Sequence, residues 1–424
     1  MAQRSLAERD KEVIWHPYTQ MHKAAPPIPI VRGEGIYLIA DDGRKFMDAV
    51  SSWWVNIHGH AHPYIAEKVH DQLRTLEHVI FAGFTHPSAV ELAERLLSIL
   101  PDNQKKVFYS DNGSTAVEVA LKMCLQYWSN AGQPRTKVLA FNDSYHGDTF
   151  GAMSVSARSA FSQPFERMLF EVDFIELPNA KNISAIKEQL SALASELAAF
   201  IFEPLVQGAG GMNMYEAKYL DELLAHCKKE GILTIADEVM TGFGRTGKLF
   251  ASCHLKEQPD VMCLSKGITG GTMALGLTTC ASKIFEAFLS EDKLKTLFHG
   301  HSFTANPVSC AAALASLDLL LNPDTLTSIT RISAQHKQFA LRISRHLKVR
   351  TIRQTGTILA LEWQTDGQTS YFNSLRDDLY NFFLEKGVIL RPLGNIIYIM
   401  PPYCITNEQL EYIYTQIEIA LEKF

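Results

Sequence analysis

The sequence predicts an α/β fold, in which a large domain with a mainly parallel sheet is followed by a smaller α+β domain. From about residue 100 onward, short β-branched or aromatic runs alternate with longer helical patterns, as in βαβ units. Beyond about residue 320 the alternation gives way to two helices, a strand and a hairpin-like end. The length of 424 residues also suits two domains.

We expect three parts along the chain: residues 1–60 as an N-terminal segment that joins the small domain, residues 61–320 as the large domain, and residues 321–424 as the C-terminal small domain. The strands of the large domain are predicted at residues 106–110, 137–141, 198–204, 232–237, 261–265 and 277–282. Several of them are apolar nearly throughout, as expected for strands that helices cover on both faces.

Helical patterns fill the gaps between these strands, at residues 115–128, 182–196, 216–230 and 307–321. Thr115 followed by Glu118 forms a capping box that predicts the start of the first helix. In the last hundred residues we expect a helix at 327–346, a strand at 358–363, a further helix, and a hairpin formed by the segment VILRPLGNIIYIMPPY.

Composition excludes several classes of protein. The net charge is −6 and the charges are mixed along the chain, so no basic stripe is present to bind nucleic acid. No apolar run approaches the roughly 20 residues of a membrane span, and Glu8, Asp10 and Glu12 argue against a signal or transit peptide, so we expect a cytoplasmic protein. Seven cysteines without a CxxC pair predict reduced thiols rather than disulfides or zinc ligands.

An acidic and a basic residue stand at the ends of two successive predicted strands. Asp237 ends the run ILTIAD, and Lys266 follows the run VMCLS 29 residues later, about one βαβ unit. Carboxyl ends of neighbouring strands line the ligand crevice of an open α/β sheet. A lysine amine can form a Schiff base with an aldehyde cofactor, and a carboxylate can keep a pyridine ring protonated. Taken alone, the pair is also compatible with a structural ion pair.

Two further strand ends carry groups that suit such a cofactor. Residues 112–115 (NGST) follow one strand and open a helix, whose N–H groups and positive end favour an anion. Tyr145 follows another strand, where its flat ring could stack on a flat ligand. A plain glycine turn and a core aromatic residue are the alternatives for each motif alone. Together with Asp237 and Lys266, the two motifs predict a site for a phosphorylated pyridine.

Six segments of the chain resemble the class III (subgroup II) aminotransferases of pyridoxal-phosphate (PLP) fold type I. They are SDNGSTAVEVALK, YHGDTFGAMSVS, FEPLVQGAGGM, ADEVMTGFGRTGKLFA, LSKGITGG and HGHSFTANP, and the resemblance runs nearly end to end. It implies a PLP-dependent aminotransferase that acts on small molecules as a homodimer with shared active sites. The large domain would then be the PLP-binding domain.

The resemblance implies roles for individual residues. Lys266 would carry PLP and shuttle protons, Asp237 would pair with the pyridine nitrogen, and Tyr145 would cover the ring as a third catalytic residue. Asp148 would support the site near Tyr145. The other residues expected to bind PLP are Gly113, Ser114, Glu203 and Ser302, the last from the partner subunit.

Within the family, the segments SSWWVNIHGHAHP and LRPLGNIIYIMPPY resemble enzymes that convert 8-amino-7-oxononanoate to 7,8-diaminononanoate in biotin biosynthesis. This narrower resemblance favours S-adenosylmethionine as the amino donor and leaves lysine as an alternative. Arg391 would clamp the carboxylate of the keto acid, because a guanidinium binds a carboxylate in a fork. The other residues expected to bind the substrate are Tyr18, Trp53, Trp54, Arg245 and Gly300.

The chain departs from the family pattern near the site. Ser302 replaces a usual threonine but keeps the hydroxyl, His301 stands where proline is frequent, and the position near Leu393 is a third candidate departure. These positions bear on the shape of the substrate pocket at its ends.

Two motifs point to other chemistry. Residues 242–247 satisfy GxGxxG, but the strand before them already ends at Asp237 and no clear helix follows, which disfavours a dinucleotide site. His58, His60 and His62 share no helix face and have no acidic or cysteine neighbour within the run, so a loop is favoured over a metal site. The rival functions are an ω-aminotransferase for ornithine, 4-aminobutyrate or a polyamine, an aminomutase or decarboxylase, and a non-catalytic binding protein.

Overall fold

The computed structural model describes residues 4–365, 369, 371 and 373–424. Its strands are β1 (Ile30–Glu34), β2 (Tyr37–Ala40), β3 (Lys45–Asp48), β4 (Gln104–Ser110), β5 (Lys137–Phe141), β6 (Asp173–Ile175), β7 (Leu197–Phe202), β8 (Val206–Gln207), β9 (Asn213–Met214), β10 (Leu233–Asp237), β11 (Val261–Leu264), β12 (Gly276–Ala281), β13 (Val349–Thr355), β14 (Ile358–Trp363), β15 (Val388–Ile389) and β16 (Ile396–Ile399). Its helices are α1 (Leu6–Val13), α2 (Ser51–Trp54), α3 (Pro63–Thr75), α4 (Pro87–Leu97), α5 (Gly113–Asn130), α6 (Phe150–Ser154), α7 (Ile183–Leu193), α8 (Ala217–Lys229), α9 (Ser282–Glu286), α10 (Pro307–Leu320), α11 (Pro323–Ile343), α12 (Leu375–Glu385) and α13 (Asn407–Lys423). None of the helices in this described part of the chain has the length and apolarity to cross a membrane.

The strands of the large domain form one sheet of seven strands within the described residues, in the order β4-β12-β11-β10-β7-β5-β6. The strands β11, β10, β7, β5 and β6 are parallel to one another, and β12 runs opposite to both of its neighbours. The predicted fold class is confirmed. Because most strands run in one direction, their carboxyl ends meet at one edge of the sheet, where a ligand crevice is expected.

Both faces of this sheet are covered, which explains why its strands are apolar throughout. On β7, Phe200 and Phe202 belong to the core cluster that includes residues of α8, whereas Ile201 belongs to the cluster that includes residues of α5. Every residue of β7 is buried. Burying one such side chain stabilises the fold by about 1.5–3 kcal/mol. Polar side chains therefore lie at the ends of the strands, beyond the part of the sheet that helices cover.

The N-terminal strands pair with a strand from the far end of the chain. The strands β1, β2 and β3 form an antiparallel meander, and β15 adds to β3 in parallel. A separate antiparallel sheet has the order β13-β14-β16. The division of the chain at residues 60 and 320 stays a prediction.

Two sequence-based expectations for the last hundred residues need correction, and one helix there was not predicted. The closing hairpin is wrong, because β15 pairs with β3 while β16 pairs with β14, and the bridge between Leu393 and Ile396 is an isolated one. The helix expected from residue 327 begins at Pro323, where Asn322 caps it and proline occupies its first position. The final helix α13 was not predicted, although Thr406 and Gln409 form its capping box.

Candidate active site

The polar side chains at the strand ends converge on the carboxyl edge of the central sheet. Two adjoining cavities open there, an inner cavity of about 650 Å³ and an outer cavity of about 610 Å³. The inner cavity extends to the start of α5, and the outer cavity extends to the C-terminal sheet. The residues that border both cavities are Lys266, Trp54, Tyr145, Gly147 and Asp148.

Lys266 begins a short 3₁₀ turn just after β11, with a φ of 46° in the left-handed region. Burial lowers the pKa of its amine to about 8, although the negative charges of Asp237 and Glu203 oppose this shift. The Nζ atom lies 4.6 Å from the centre of the Trp54 ring. A lower pKa leaves more of the amine neutral, and the neutral amine is the form that attacks a carbonyl carbon.

Asp237 ends β10, and both of its carboxylate oxygens have partners. Oδ1 accepts the backbone N–H of Val239 at 3.0 Å, and Oδ2 lies 2.7 Å from Nδ1 of His146. The side chains of Asp237 and His146 are both buried. These contacts fix the direction of the carboxylate at the wall of the inner cavity, where it can pair with a protonated ring nitrogen.

The helix α5 presents its N-terminus to the inner cavity, since residues 112–114 line it. Asn112 is the N-cap: its side chain accepts the N–H of Thr115 at 3.0 Å, and the Thr115 hydroxyl accepts the N–H of Asn112 at 2.9 Å. The predicted capping box of Thr115 with Glu118 is therefore wrong. Glu118 instead accepts the N–H of Gly151 at 2.8 Å. The positive end of α5 forms an anion cradle.

Two glycines allow close packing around this cradle. A Cβ atom on Gly113 would lie 2.7 Å from a methyl carbon of Val239, and one on Gly147 would lie 2.1 Å from the hydroxyl of Ser114. Gly147 also has a φ of 133°, which disfavours any side chain. The hydroxyl of Ser114 can reach its position in the cradle because residue 147 is glycine.

Glu203 connects two loops at the sheet edge. Its Oε1 accepts the N–H of Tyr145 at 3.0 Å and its Oε2 accepts the N–H of Gly208 at 2.8 Å. Burial raises the pKa of Glu203 to about 7, and the charge of Asp237 contributes, whereas His146 and the two N–H groups oppose the shift. The first of these hydrogen bonds fixes the backbone at Tyr145, whose side chain borders both cavities.

The outer cavity has aromatic walls and a guanidinium group. The rings of Tyr18 and Trp53 lie 5.7 Å apart, and Cζ of Arg391 lies 4.1 Å from the centre of the Trp53 ring. The indole N–H of Trp54 donates to the hydroxyl of Tyr398 at 3.0 Å. An apolar slot with a fork-shaped cation suits an elongated carboxylic acid.

Tyr18 joins the N-terminal segment to the site. Its hydroxyl donates to the carboxylate of Asp148 and lies 3.4 Å from the hydroxyl of Tyr145. Burial raises the pKa of Tyr18 to about 12, and the bond to Asp148 adds to the rise. Tyr18 is therefore a neutral hydrogen-bond donor at physiological pH.

Arg245, Gly300 and Ser302 border neither cavity in the described part of the chain. Arg245 is buried, and its guanidinium donates to the carbonyl of Pro401 at 2.9 Å and lies 3.5 Å from the carbonyl of Trp54. The predicted contact of Arg245 with the substrate stays a prediction. The predicted contact of Ser302 with the cofactor of a partner subunit stays a prediction, as does that of Gly300 with the substrate.

Two of the noted departures lie next to the site. Leu393 lines the outer cavity. Nδ1 of His301 lies 3.1 Å from the carboxylate of Asp111, directly before the anion cradle. His301 thus links the loop that carries Ser302 to the start of α5.

Sequence reasoning missed two side chains at the site. His146 lies in the same YHG motif as Tyr145, so its position after a strand was a usable signal. Tyr398 lies on β16 and reaches Trp54 across 344 residues of sequence. No local pattern could reveal that contact, because the partner of β16 was itself predicted wrongly.

The two motifs that suggested other chemistry form loops. Residues 242–247 are turns after β10, with positive φ at Gly244 and Gly247. His58 lies 3.0 Å from the hydroxyl of Ser316, and His60 lies 2.9 Å from Asp48. No group of three or more metal-ligating side chains is found among residues 4–365, 369, 371 and 373–424.

Comparison with known sequences gives matches along the whole chain. Residues 18–421 match the family model described as aminotransferase class-III. An adenosylmethionine-8-amino-7-oxononanoate aminotransferase of Synechococcus elongatus is 47% identical over 97% of this chain and 98% of its own length. An enzyme of the same name from Geobacter sulfurreducens is 40% identical over 98% of this chain and 97% of its own length.

Solved structures give the same picture. An adenosylmethionine-8-amino-7-oxononanoate aminotransferase from Methanocaldococcus jannaschii superposes with a TM-score of 0.95 at 35% identity, covering 99% of this chain and 98% of that chain. A PLP-bound amine transaminase from an uncultivated Pseudomonas species superposes with a TM-score of 0.91 at 32% identity, covering 97% and 98%.

Proposed function

The chain belongs to the class III aminotransferases, and from this membership we propose that it uses PLP to convert 8-amino-7-oxononanoate to 7,8-diaminononanoate. This reaction is a step of biotin biosynthesis, and we propose S-adenosylmethionine as the amino donor. One arrangement carries the proposal: Lys266 and Asp237 face a cavity that leads into an aromatic slot containing Arg391. The printed names of the relatives from Synechococcus and Geobacter support the substrate and the donor.

The residues of the inner cavity fit PLP. The amine of Lys266, with its lowered pKa, suits the aldehyde. Asp237 suits the pyridine nitrogen, and the N-terminus of α5 with Ser114 suits the phosphate. Tyr145 would cover one face of the ring. PLP supplies an electron-accepting ring that stabilises negative charge on the substrate carbon.

Each of these residues would then have a separate role in the transfer of the amino group. Lys266 Nζ takes a proton from the amine-bearing carbon of the donor and returns one to the keto carbon of the acceptor. Asp237, oriented by His146 and Val239, holds a proton at the ring nitrogen. Trp54 stands beside Nζ, at the border between the two cavities. In the net reaction the donor leaves as a keto compound and its amino group replaces the keto oxygen of the acceptor.

The outer cavity supports a long keto acid as acceptor. Tyr18, Trp53 and Trp54 offer apolar surface to a hydrocarbon chain, and Arg391 offers two parallel N–H donors to a carboxylate. The stacking of Arg391 on Trp53 holds the guanidinium in place.

We further propose that the enzyme is a homodimer in which Ser302 of one protomer contributes to the phosphate site of the other. Exposed aromatic residues on either side of it support this proposal, since Phe298 is 71% exposed and Phe303 is 63% exposed. Large exposed apolar side chains close together mark protein interfaces.

The test is a donor screen with purified enzyme and 8-amino-7-oxononanoate. S-adenosylmethionine, lysine, ornithine and 4-aminobutyrate are supplied in turn, and 7,8-diaminononanoate is measured by mass spectrometry. We expect product with S-adenosylmethionine and none from the Lys266→Ala variant. Product with lysine alone would correct the donor. Transfer from ornithine or 4-aminobutyrate to other keto acids, without diaminononanoate from any donor, would contradict the proposal and favour an ω-aminotransferase.

A further inference from the structure

The segment that carries both tryptophans has an unusual backbone. Ser51, Ser52 and Trp54 have φ angles of 52°, 59° and 69°, in the left-handed region that residues with side chains seldom adopt. Ser52 also has a ψ of −94°, so the segment labelled α2 is a strained turn rather than a regular helix. Such a turn persists only when contacts from outside hold it.

The buried carboxylate of Asp48 supplies several of these contacts. Its Oδ2 accepts the backbone N–H of Ser52 at 2.6 Å and the Ser52 hydroxyl at 3.1 Å, and its Oδ1 accepts the N–H of Val50 at 3.2 Å. Nε2 of His60 lies 2.9 Å from the same Oδ2. Hydrogen bonds to a charged acceptor in a buried site are strong and directional.

His60 is itself fixed to the N-terminal sheet. Its backbone N–H donates to the carbonyl of Gly35 at 2.7 Å. Its side chain packs on Gly33, where a Cβ atom would lie 2.6 Å from Cβ of His60. The far side of the turn is held by the Ser51 hydroxyl, which donates to the carbonyl of Met400 at 2.8 Å. The strained turn is therefore anchored to the N-terminal sheet on one side and to the residue just after β16 on the other.

We propose that Asp48, oriented by His60, is a positioning residue that sets the rings of Trp53 and Trp54 in the wall of the substrate slot. Asp48 and His60 border neither cavity in the described part of the chain, so they act through the tryptophans. The residues that would hold PLP lie on other elements. Asp48 and His60 should therefore affect binding of the acceptor far more than binding of the cofactor. The choice of acceptor rests on the proposed function.

The primary test is the Asp48→Asn variant of the holoenzyme. Asparagine keeps the shape but offers only one acceptor oxygen, so its NH₂ group faces a donor. We expect KM for 8-amino-7-oxononanoate to rise about tenfold or more and kcat to fall less than about threefold, with unchanged PLP content. The matched control is Asp42→Asn, an exposed carboxylate bonded to Arg44 on the turn between β2 and β3, which should leave both constants within about twofold.

Two variants at His60 separate positioning from bulk packing. Gln in His60→Gln can place an N–H near the position of Nε2, whereas His60→Ala cannot. We expect KM to rise about tenfold in His60→Ala and less than about threefold in His60→Gln. Equal effects of the two variants would overturn the role of the His60 hydrogen bond.

A second readout needs no substrate. Trp54 is only 5% exposed, so a relaxed turn should increase quenching of tryptophan fluorescence by acrylamide in Asp48→Asn. The increase should vanish when Trp54→Phe is added. Greater quenching together with no amination of the keto acid by the wild type would refute the proposed function but support the positioning role. Unchanged KM and unchanged quenching would overturn the positioning role, as would a joint loss of PLP, kcat and thermal stability.

Discussion

At the scale of single residues, the charges around Lys266 set its reactivity. Burial lowers its pKa to about 8, and Asp237 is the largest influence that opposes the shift. A pKa of about 8 instead of 10.5 raises the neutral fraction at pH 7 about 300-fold. The neutral amine is the nucleophile. Capture of an aldehyde should therefore increase as the pH rises towards 8 and level off above it.

Removal of the charge of Asp237 gives a signed prediction. In Asp237→Asn the pKa of Lys266 should fall below that of the wild type, and Glu203→Gln should lower it less, because Glu203 is the smaller of the two influences. The measurement is the pH dependence of PLP fixation on Lys266 by borohydride in apoenzyme. We also expect kcat to fall by about 10²–10³ in Asp237→Asn. A pKa that stays the same or rises would contradict the electrostatic account.

Glu203 should make stability depend on pH. Its pKa is about 7 in the folded protein and 4.5 as the ordinary value, so the folded state holds the proton more tightly. The folded state is therefore favoured at low pH, and this advantage is lost as the pH rises from about 4.5 to 7. The loss amounts to about 3 kcal/mol.

The check compares denaturant unfolding of wild type and Glu203→Gln at pH 5 and pH 8. The wild type should lose about 2–3 kcal/mol more than the variant over this interval, because at pH 5 a small part of the advantage is already lost. Because other titrating groups are common to both proteins, the difference isolates Glu203. An equal loss in the two proteins would show that the raised pKa of Glu203 has no role in stability.

The sequence located residues at strand ends better than residues that depend on distant packing. Lys266 and Asp237 could be placed at the edge of the sheet, because Asp237 ends one clear apolar strand and Lys266 comes just after another. The surroundings of Arg245 could not be predicted, because the fold buries its guanidinium among backbone carbonyls. The burial depends on residues 400–401, and no local pattern links these to residue 245.

At the scale of elements, the cap of α5 should serve both stability and the cofactor. Asn112 accepts the N–H of Thr115 and directs the first turn at the inner cavity. Asn112→Ala should cost about 1 kcal/mol of stability and weaken PLP binding. The matched control is Asn322→Ala, which removes the N-cap of α11 and borders neither cavity in the described part of the chain.

Thermal unfolding and PLP titration of both asparagine variants provide the measurement. Similar losses of stability, with weaker PLP binding only in Asn112→Ala, are the expected result. If both variants bound PLP as the wild type does, the N-terminus of α5 would not be the phosphate site.

The boundaries of strands were also predicted well where a local pattern defines them and poorly where distant packing does. The strand at 137–141 and the strand at 358–363 were predicted with their observed limits, since short apolar runs bounded by polar residues define both. The hairpin at residues 388–403 failed because its halves pair with β3 and β14 instead of with each other. Strand pairing is decided by tertiary packing, and β3 lies more than 300 residues earlier in the chain.

At the scale of the whole molecule, the two ends of the chain meet in one sheet, which brings Tyr18 and the tryptophan turn to the same slot as Arg391. The substrate slot is thus built from segments that are far apart in sequence, while the inner cavity uses ends of consecutive βαβ units. This difference explains why the residues that line the inner cavity were easier to place from the sequence than the wall of the outer cavity.

The loop around Ser302 should be a dimer contact, because Leu294, Phe298 and Phe303 are all more than 60% exposed there. Phe298→Asp combined with Phe303→Asp should give monomers in sedimentation, because burying two charges at an interface is costly. The monomers should bind PLP about tenfold more weakly, because Ser302 would no longer reach the site of the partner. Leu347→Asp is the control, because Leu347 is 93% exposed after α11 and should tolerate the charge as a dimer. A monomeric double variant that still binds PLP as tightly as the wild type would exclude Ser302 from the cofactor site and make each protomer self-sufficient.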